Sequence, residues 1–195
     1  MAIYTIRYPF RVIMTFASNI LAKIDVTFVT KASYEAAIVR SMDLILWRHA
    51  DAAPVKNDSE PDIQRRLTGK GRKQAALMAN WLDRHLPDSV KVFASPATRS
   101  RETAEALGRK IVTVPELAVG ADAAQLLHIA GWPDSRHAVL IVGHQPTLGR
   151  AASLLLLGEE QELSMRKAAV WWITNRMRDE EFRPSLRAAI CPEYL

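Results

Sequence analysis

The chain has 195 residues, 49% apolar and 24% charged, with 8 Gly and 10 Pro; this mixture builds a packed domain and excludes disordered, collagen-like and coiled-coil chains. Its formal charge of +5 comes from 26 basic and 21 acidic residues, and residues 1–41 hold five of the former and two of the latter. The rest is nearly neutral and has no basic stripe interleaved with aromatics, so nucleic acid is not an expected partner.

The single cysteine, Cys191, permits no intrachain disulfide and no thiolate metal site, which fits a reducing cytoplasm. No apolar run approaches the roughly 18 residues that span a bilayer, and no membrane partner is expected.

Residues 1–41 mix aromatic, Thr and basic residues without a sustained period of strand or helix. A signal peptide would use Arg7 and Arg11 as its charged start and Val12 to Ala22 as its apolar centre, but Thr15, Ser18 and Asn19 interrupt that centre. Residues 1–41 are therefore expected to be a poorly ordered N-terminal extension, and residues 42–195 the compact domain.

From Met42 onward, short apolar runs alternate with amphipathic stretches, the signature of an α/β domain. Strands are predicted at Leu44–Trp47, Val90–Ala94, Ile111–Val114, Ala138–Val142 and Ala168–Ile173. A helix is predicted from Gly69 to about Leu86, with Thr68 as N-cap and Ala75, Met78, Ala79, Leu82 and Leu86 forming one apolar stripe. Further helices are predicted at Ala97–Gly108, Asp122–Ala130 and Thr147–Leu157, the last stopping at Gly158.

Three predicted strands run directly into polar or cationic residues: Leu46-Trp-Arg-His-Ala50, Val92-Phe-Ala-Ser-Pro-Ala-Thr-Arg99 and Leu140-Ile-Val-Gly-His-Gln-Pro146. Carboxyl ends of strands line the ligand crevice of open α/β sheets, so Arg48, His49, Arg99 and His144 are expected to share one pocket. Two guanidiniums and two imidazoles form an anion cage. Arginine matches phosphate oxygens with its planar fork, and a neutral imidazole attacks phosphorus, so the grouping points to phosphoryl transfer. Arg65 and Arg66 either extend the positive funnel or belong to a solvated loop, the latter being the default. The five histidines include no His-Glu-x-x-His pattern and no accompanying carboxylate cluster, which argues against a metal hydrolase.

Arg48-His49, Ser95-Pro-Ala-Thr-Arg99-Ser-Arg-Glu-Thr103 and Gly143-His144 resemble the histidine phosphatase superfamily, and most closely its small SixA-type phosphohistidine phosphatases. Leu67-Thr-Gly-Lys-Gly71 and Pro115-Glu-Leu117 follow in the same order, and the resemblance covers about residues 42–175. It implies a three-layer αβα domain with a mostly parallel central sheet, as in phosphoglycerate mutase. It also implies that His49 is the nucleophile, that Arg48, Arg99 and His144 bind the phosphoryl group, and that no metal or cofactor takes part. The usual Arg-His-Gly is Arg48-His49-Ala50 here, and a left-handed backbone at Ala50 would be strained.

The resemblance also implies a proton donor to the leaving group in the stretch where larger relatives place an acidic residue, which holds Glu116 and Asp122, while Asp51 closely follows His49; Asp122 ranks first. A departing imidazole needs that proton less than an alkoxide does. The expected substrate is phosphohistidine in a protein such as a histidine-containing phosphorelay domain, because the roughly 154 residues after Met42 leave little room for the lid insertions of larger relatives. The alternatives are a phosphatase for small phosphoesters and a catalytically silent phosphate-binding module. The oligomeric state is left open.

Overall fold

The computed structural model describes residues 42–55, 61–178 and 181–195; the expected N-terminal extension, residues 1–41, lies outside the described residues. Six strands form one sheet in the order β3-β2-β4-β1-β5-β6. They are β1 (Met42–Arg48), β2 (Lys91–Ala94), β3 (Ile111–Thr113), β4 (Val139–Gly143), β5 (Val170–Arg178) and β6 (Glu181–Ile190). β1 to β4 run parallel to one another, while β5 pairs antiparallel with β1 and β6 antiparallel with β5.

Among the described residues four α-helices cover the sheet: α1 (Gly69–Asp83), α2 (Thr98–Glu105), α3 (Ala123–Ala130) and α4 (Thr147–Leu157). The alternating side chains of the central strands divide the core in two. Ile45 and Trp47 of β1, with Leu140 and Val142 of β4, pack with Met78 and Leu82 of α1 and Ala104 of α2. Leu44, Leu46, Val139 and Ile141 face the other way, onto Leu126 of α3 and Leu148 and Ala152 of α4. This is the expected three-layer αβα arrangement with a mostly parallel sheet. Among the described residues no helix is long and apolar enough to cross a membrane.

Thr68 caps α1 as expected, its hydroxyl accepting from the Gly71 amide at 2.9 Å. Gly71 is small for a reason: a Cβ there would stand 1.9 Å from the Asp51 carbonyl oxygen. The start of α1 is thereby pressed against the loop that follows β1.

Two departures from expectation have local causes. The predicted strand Ala168–Ile173 begins two residues later, because Lys167 and Ala168 form a turn and Ala168 has φ 60°. Strand β6 was not expected, since Pro184 interrupts Glu181–Ile190. β6 is an edge strand, where a missing amide is tolerated, and Pro184 sits opposite Asn175.

Candidate active site

The order β2-β4-β1 sets three carboxyl ends side by side. Arg48 pairs with Gly143 in the parallel register, so His49 and His144 each lie one residue beyond a matched pair. Their ring centroids are 5.1 Å apart at an interplanar angle of 56°. The Ser95 amide donates to the Val142 carbonyl at 3.0 Å, which places Ser95 on the far side of His144.

The resulting cavity, of about 310 Å³, is lined by Arg48, His49, Arg99 and His144, the four residues expected to meet there. Asp62, Arg65, Gln145 and Lys167 join them in its wall. Asp122 is placed elsewhere. Its carboxylate accepts from the Gln125 amide at 3.0 Å and caps α3, and it is absent from the cavity wall. An Asp immediately before a helix satisfies an otherwise unpaired amide, and here that local role is the one observed.

The segment Ser95–Thr103 serves the cavity at four points. The Ser95 hydroxyl lies 2.7 Å from His144 Nε2, with the Ser100 hydroxyl at 3.4 Å from the same atom. Arg99 projects from the first turn of α2 into the cavity, and one turn on, Thr103 accepts the Ala50 amide at 3.0 Å. Glu102 accepts from the Leu67 amide and from Arg66 Nε, each at 2.7 Å, and so ties the 61–68 loop to α2.

His49 Nδ1 lies 2.8 Å from the Ala50 carbonyl oxygen. A carbonyl only accepts, so Nδ1 bears the hydrogen and Nε2 keeps its lone pair. Burial lowers the His49 pKa to about 4, with the charges of Arg99, Arg48 and Arg65 acting in the same direction, against the Ala50 hydrogen bond. Burial, then His49 and Arg99, lower His144 to about 3. Both rings are neutral at pH 7. The strain expected at Ala50 does not arise, since Ala168 is the only non-glycine with positive φ among the described residues.

Arg48 donates from Nη1 to the Met165 carbonyl. Arg99 donates from Nη1 to the Asp62 carbonyl at 2.7 Å and from Nη2 to the Asp62 carboxylate at 2.8 Å. Burial works against ionisation of Asp62, but its bond to Arg99 and the charges of Arg99 and Arg65 outweigh that and hold the carboxyl below the usual range. Lys167 pairs with Asp51 at 2.6 Å; this bond, with one from Thr68, holds the Asp51 carboxyl low.

Among the described residues, six buried side-chain polar atoms have no hydrogen-bond partner, and three of them are Arg48 Nε, Arg99 Nε and His144 Nδ1. Native interiors rarely leave such atoms unpaired. All three belong to residues that line one cavity, whose two buried guanidiniums suit an anionic ligand.

Asp62, Arg65, Gln145 and Lys167 come from loops, where no periodicity identifies an inward-facing side chain. The only sequence signal was for Arg65, whose place in a positive funnel was weighed against a solvated loop; it lines the cavity.

Residues 44–118 match the model of the histidine phosphatase superfamily (branch 1). Phosphohistidine phosphatase SixA of Escherichia coli is 31% identical over 128 residues, which cover 60% of this chain and 76% of SixA. An uncharacterized protein of Picosynechococcus is 31% identical over 139 residues, covering 66% of this chain and 82% of its own length. The structure of the protein histidine phosphatase SixA complexed with tungstate superposes with a TM-score of 0.62 at 26% identity, covering 78% of this chain and 99% of that one. A phosphoserine phosphatase of Entamoeba histolytica shares the fold, with a TM-score of 0.55 at 14% identity over 76% of this chain and 96% of that one. A paired-histidine cavity at the carboxyl ends of β1 and β4, together with this degree of likeness to SixA, identifies the chain as a phosphatase that belongs to the histidine phosphatase superfamily.

Proposed function

We propose that this chain is a metal-independent phosphatase acting through a phosphohistidine intermediate on His49, and that its substrate is phosphohistidine in a protein. The observation that supports this reading most is the meeting of Arg48, His49, Arg99 and His144 in the wall of one cavity. Cationic side chains so placed are what the equatorial oxygens of a phosphoryl group in transfer require. That the similar protein histidine phosphatase SixA forms a complex with tungstate, a tetrahedral oxyanion, supports an anion-binding reading.

In the first step the lone pair of His49 Nε2 forms a bond to phosphorus, and the bond from phosphorus to the substrate nitrogen breaks with its electron pair left on the substrate ring, which carries a proton on its other nitrogen and so departs as neutral imidazole. Nδ1 stays on the Ala50 carbonyl, which stabilises positive charge on the ring as it becomes phosphorylated. Water then attacks phosphorus and the bond to Nε2 breaks, its electron pair returning to Nε2. One water proton passes to solvent and inorganic phosphate leaves.

The state of Asp62 supports the choice of substrate. It is the only carboxylate in the cavity wall among the described residues, and Arg99 and Arg65 keep it ionised, unable to donate a proton at neutral pH. An alkoxide leaving group needs such a donor; a phosphohistidine ring already protonated by solvent on its other nitrogen departs as neutral imidazole, whose conjugate acid has a pKa of about 6.5, without one.

The test compares hydrolysis of a phosphorylated histidine phosphotransfer domain with that of sugar phosphates. The expected kcat/KM is at least about a hundredfold higher on the phosphohistidine protein, the usual worth of general-acid assistance. Faster turnover of the sugar phosphates contradicts the reading.

A further inference from the structure

A second cavity, of about 420 Å³, adjoins the phosphoryl site and shares Asp62 and Val119 with it. Its other walls are Ile63, Ser95, Pro96, Ala97 and Ala118. Ile63 and Val119 are 45% and 53% exposed, two large apolar side chains held open to solvent beside a strongly polar site. The polar groups on this shelf are already engaged: the Ser95 hydroxyl with His144, and the Asp62 carboxylate with Arg65 and Arg99. A sugar hydroxyl placed there would give up water and find little beyond the remaining acceptor capacity of Asp62 among the side chains, whereas an apolar group would gain from burial.

Two shared walls mean that whatever is attached to the phosphoryl group reaches this shelf. In the sequence, the five residues before Pro61, Lys56-Asn-Asp-Ser-Glu60, include no apolar side chain. A phosphohistidine on a protein helix brings neighbours at three and four residues onto the same face, about 5–6 Å away.

We infer that the shelf formed by Ile63, Pro96, Ala97, Ala118 and Val119 is a substrate subsite that takes an apolar side chain lying one helical turn from the phosphohistidine of a protein substrate. This deepens, and rests on, the proposed phosphohistidine phosphatase activity.

The experiment uses the full chain, its Ile63→Ser variant, and two phosphohistidine peptides of equal length. One peptide has Leu at three and four residues to either side of the phosphohistidine, the other Ser at those positions. Phosphoramidate, too small to reach the shelf, serves as the reference substrate. The full chain should show a KM about tenfold lower for the Leu peptide, the scale of one partly buried aliphatic side chain. Ile63→Ser should cut that preference to about twofold and leave kcat and KM for phosphoramidate unchanged. Equal KM values for the two peptides, as would follow if another segment of this chain filled the shelf, overturn the subsite. So does a preference that survives in Ile63→Ser, or an equal loss on phosphoramidate. Turnover of phosphoramidate with neither peptide hydrolysed overturns the underlying phosphohistidine-protein reading, and the subsite's occupant with it.

Discussion

Both terminal nitrogens of Arg99 are held by one residue, Asp62, through its carbonyl at 2.7 Å and its carboxylate at 2.8 Å. Arg99 is 2% exposed, so Asp62 is the resident counter-charge of a nearly buried guanidinium in the phosphoryl site. An incoming phosphoryl group meets Arg99 with this negative charge beside it. Asp62→Asn keeps the carbonyl bond and the side-chain acceptor but removes the charge. Inorganic phosphate should then inhibit with a Ki about threefold lower, a modest change because Asp62 is half exposed and its field is screened. A higher Ki would show that Asp62 serves phosphate binding through the placement of Arg99 instead.

The lowered histidine pKa values set the pH response. His49, at about 4, remains unprotonated far below the ordinary histidine range, as the proposed nucleophile must. The acid limb of the kcat/KM profile should therefore lie below pH 5, after allowance for titration of the substrate. Stability follows a related course, because between the unfolded pKa near 6.5 and these folded values the unfolded chain binds more protons. The contribution of His49 and His144 is complete above about pH 6.5 and is lost as pH falls towards 4 and 3. Thermal melts between pH 7.5 and 4.5 should show Tm falling with pH, less steeply in His144→Asn. A kinetic limb at pH 6.5 would contradict the burial of His49.

Asp122 separates helix capping from catalysis. Asp122→Ala should lower unfolding stability by about 1 kcal/mol through loss of the cap to Gln125, with kcat unchanged. Urea unfolding and steady-state kinetics on one preparation measure both. A large drop in kcat would restore Asp122 as the proton donor.

Ala168 lies in the left-handed region, where a side chain costs about 1–2 kcal/mol. The turn is kept because the Ala168 amide donates to the His49 carbonyl and its own carbonyl accepts Trp47 Nε1, each at 3.1 Å, joining it to the catalytic strand. Ala168→Gly should stabilise the fold by about 0.5–1 kcal/mol, after the greater chain entropy of glycine is subtracted, with activity retained. A loss of stability in urea unfolding would contradict the strain.

The residues that the sequence made legible share one property: each follows an apolar strand or lies on the facing helix, so that topology alone brings it to the crevice. Arg48, His49 and His144 lie at or just beyond the ends of β1 and β4, and Arg99 lies in the first turn of α2. Thr68 was readable because capping is local. Asp62 and Lys167 were not, because their positions depend on long-range ties such as that from Arg99 to Asp62 and that from Lys167 to Asp51. Asp122 was assigned to the site from its place along the chain, while its carboxylate had a nearer partner in the Gln125 amide. β6 was hidden by Pro184, which only its place at the sheet edge makes tolerable.

The transfer of a phosphoryl group to His49 is tested most directly by rapid quench of the protein during turnover of labelled phosphoramidate. The wild type should carry an acid-labile, alkali-stable label that His49→Ala lacks. Turnover by the wild type with no trapped label under any quench time, or a label that persists in His49→Ala, would contradict it.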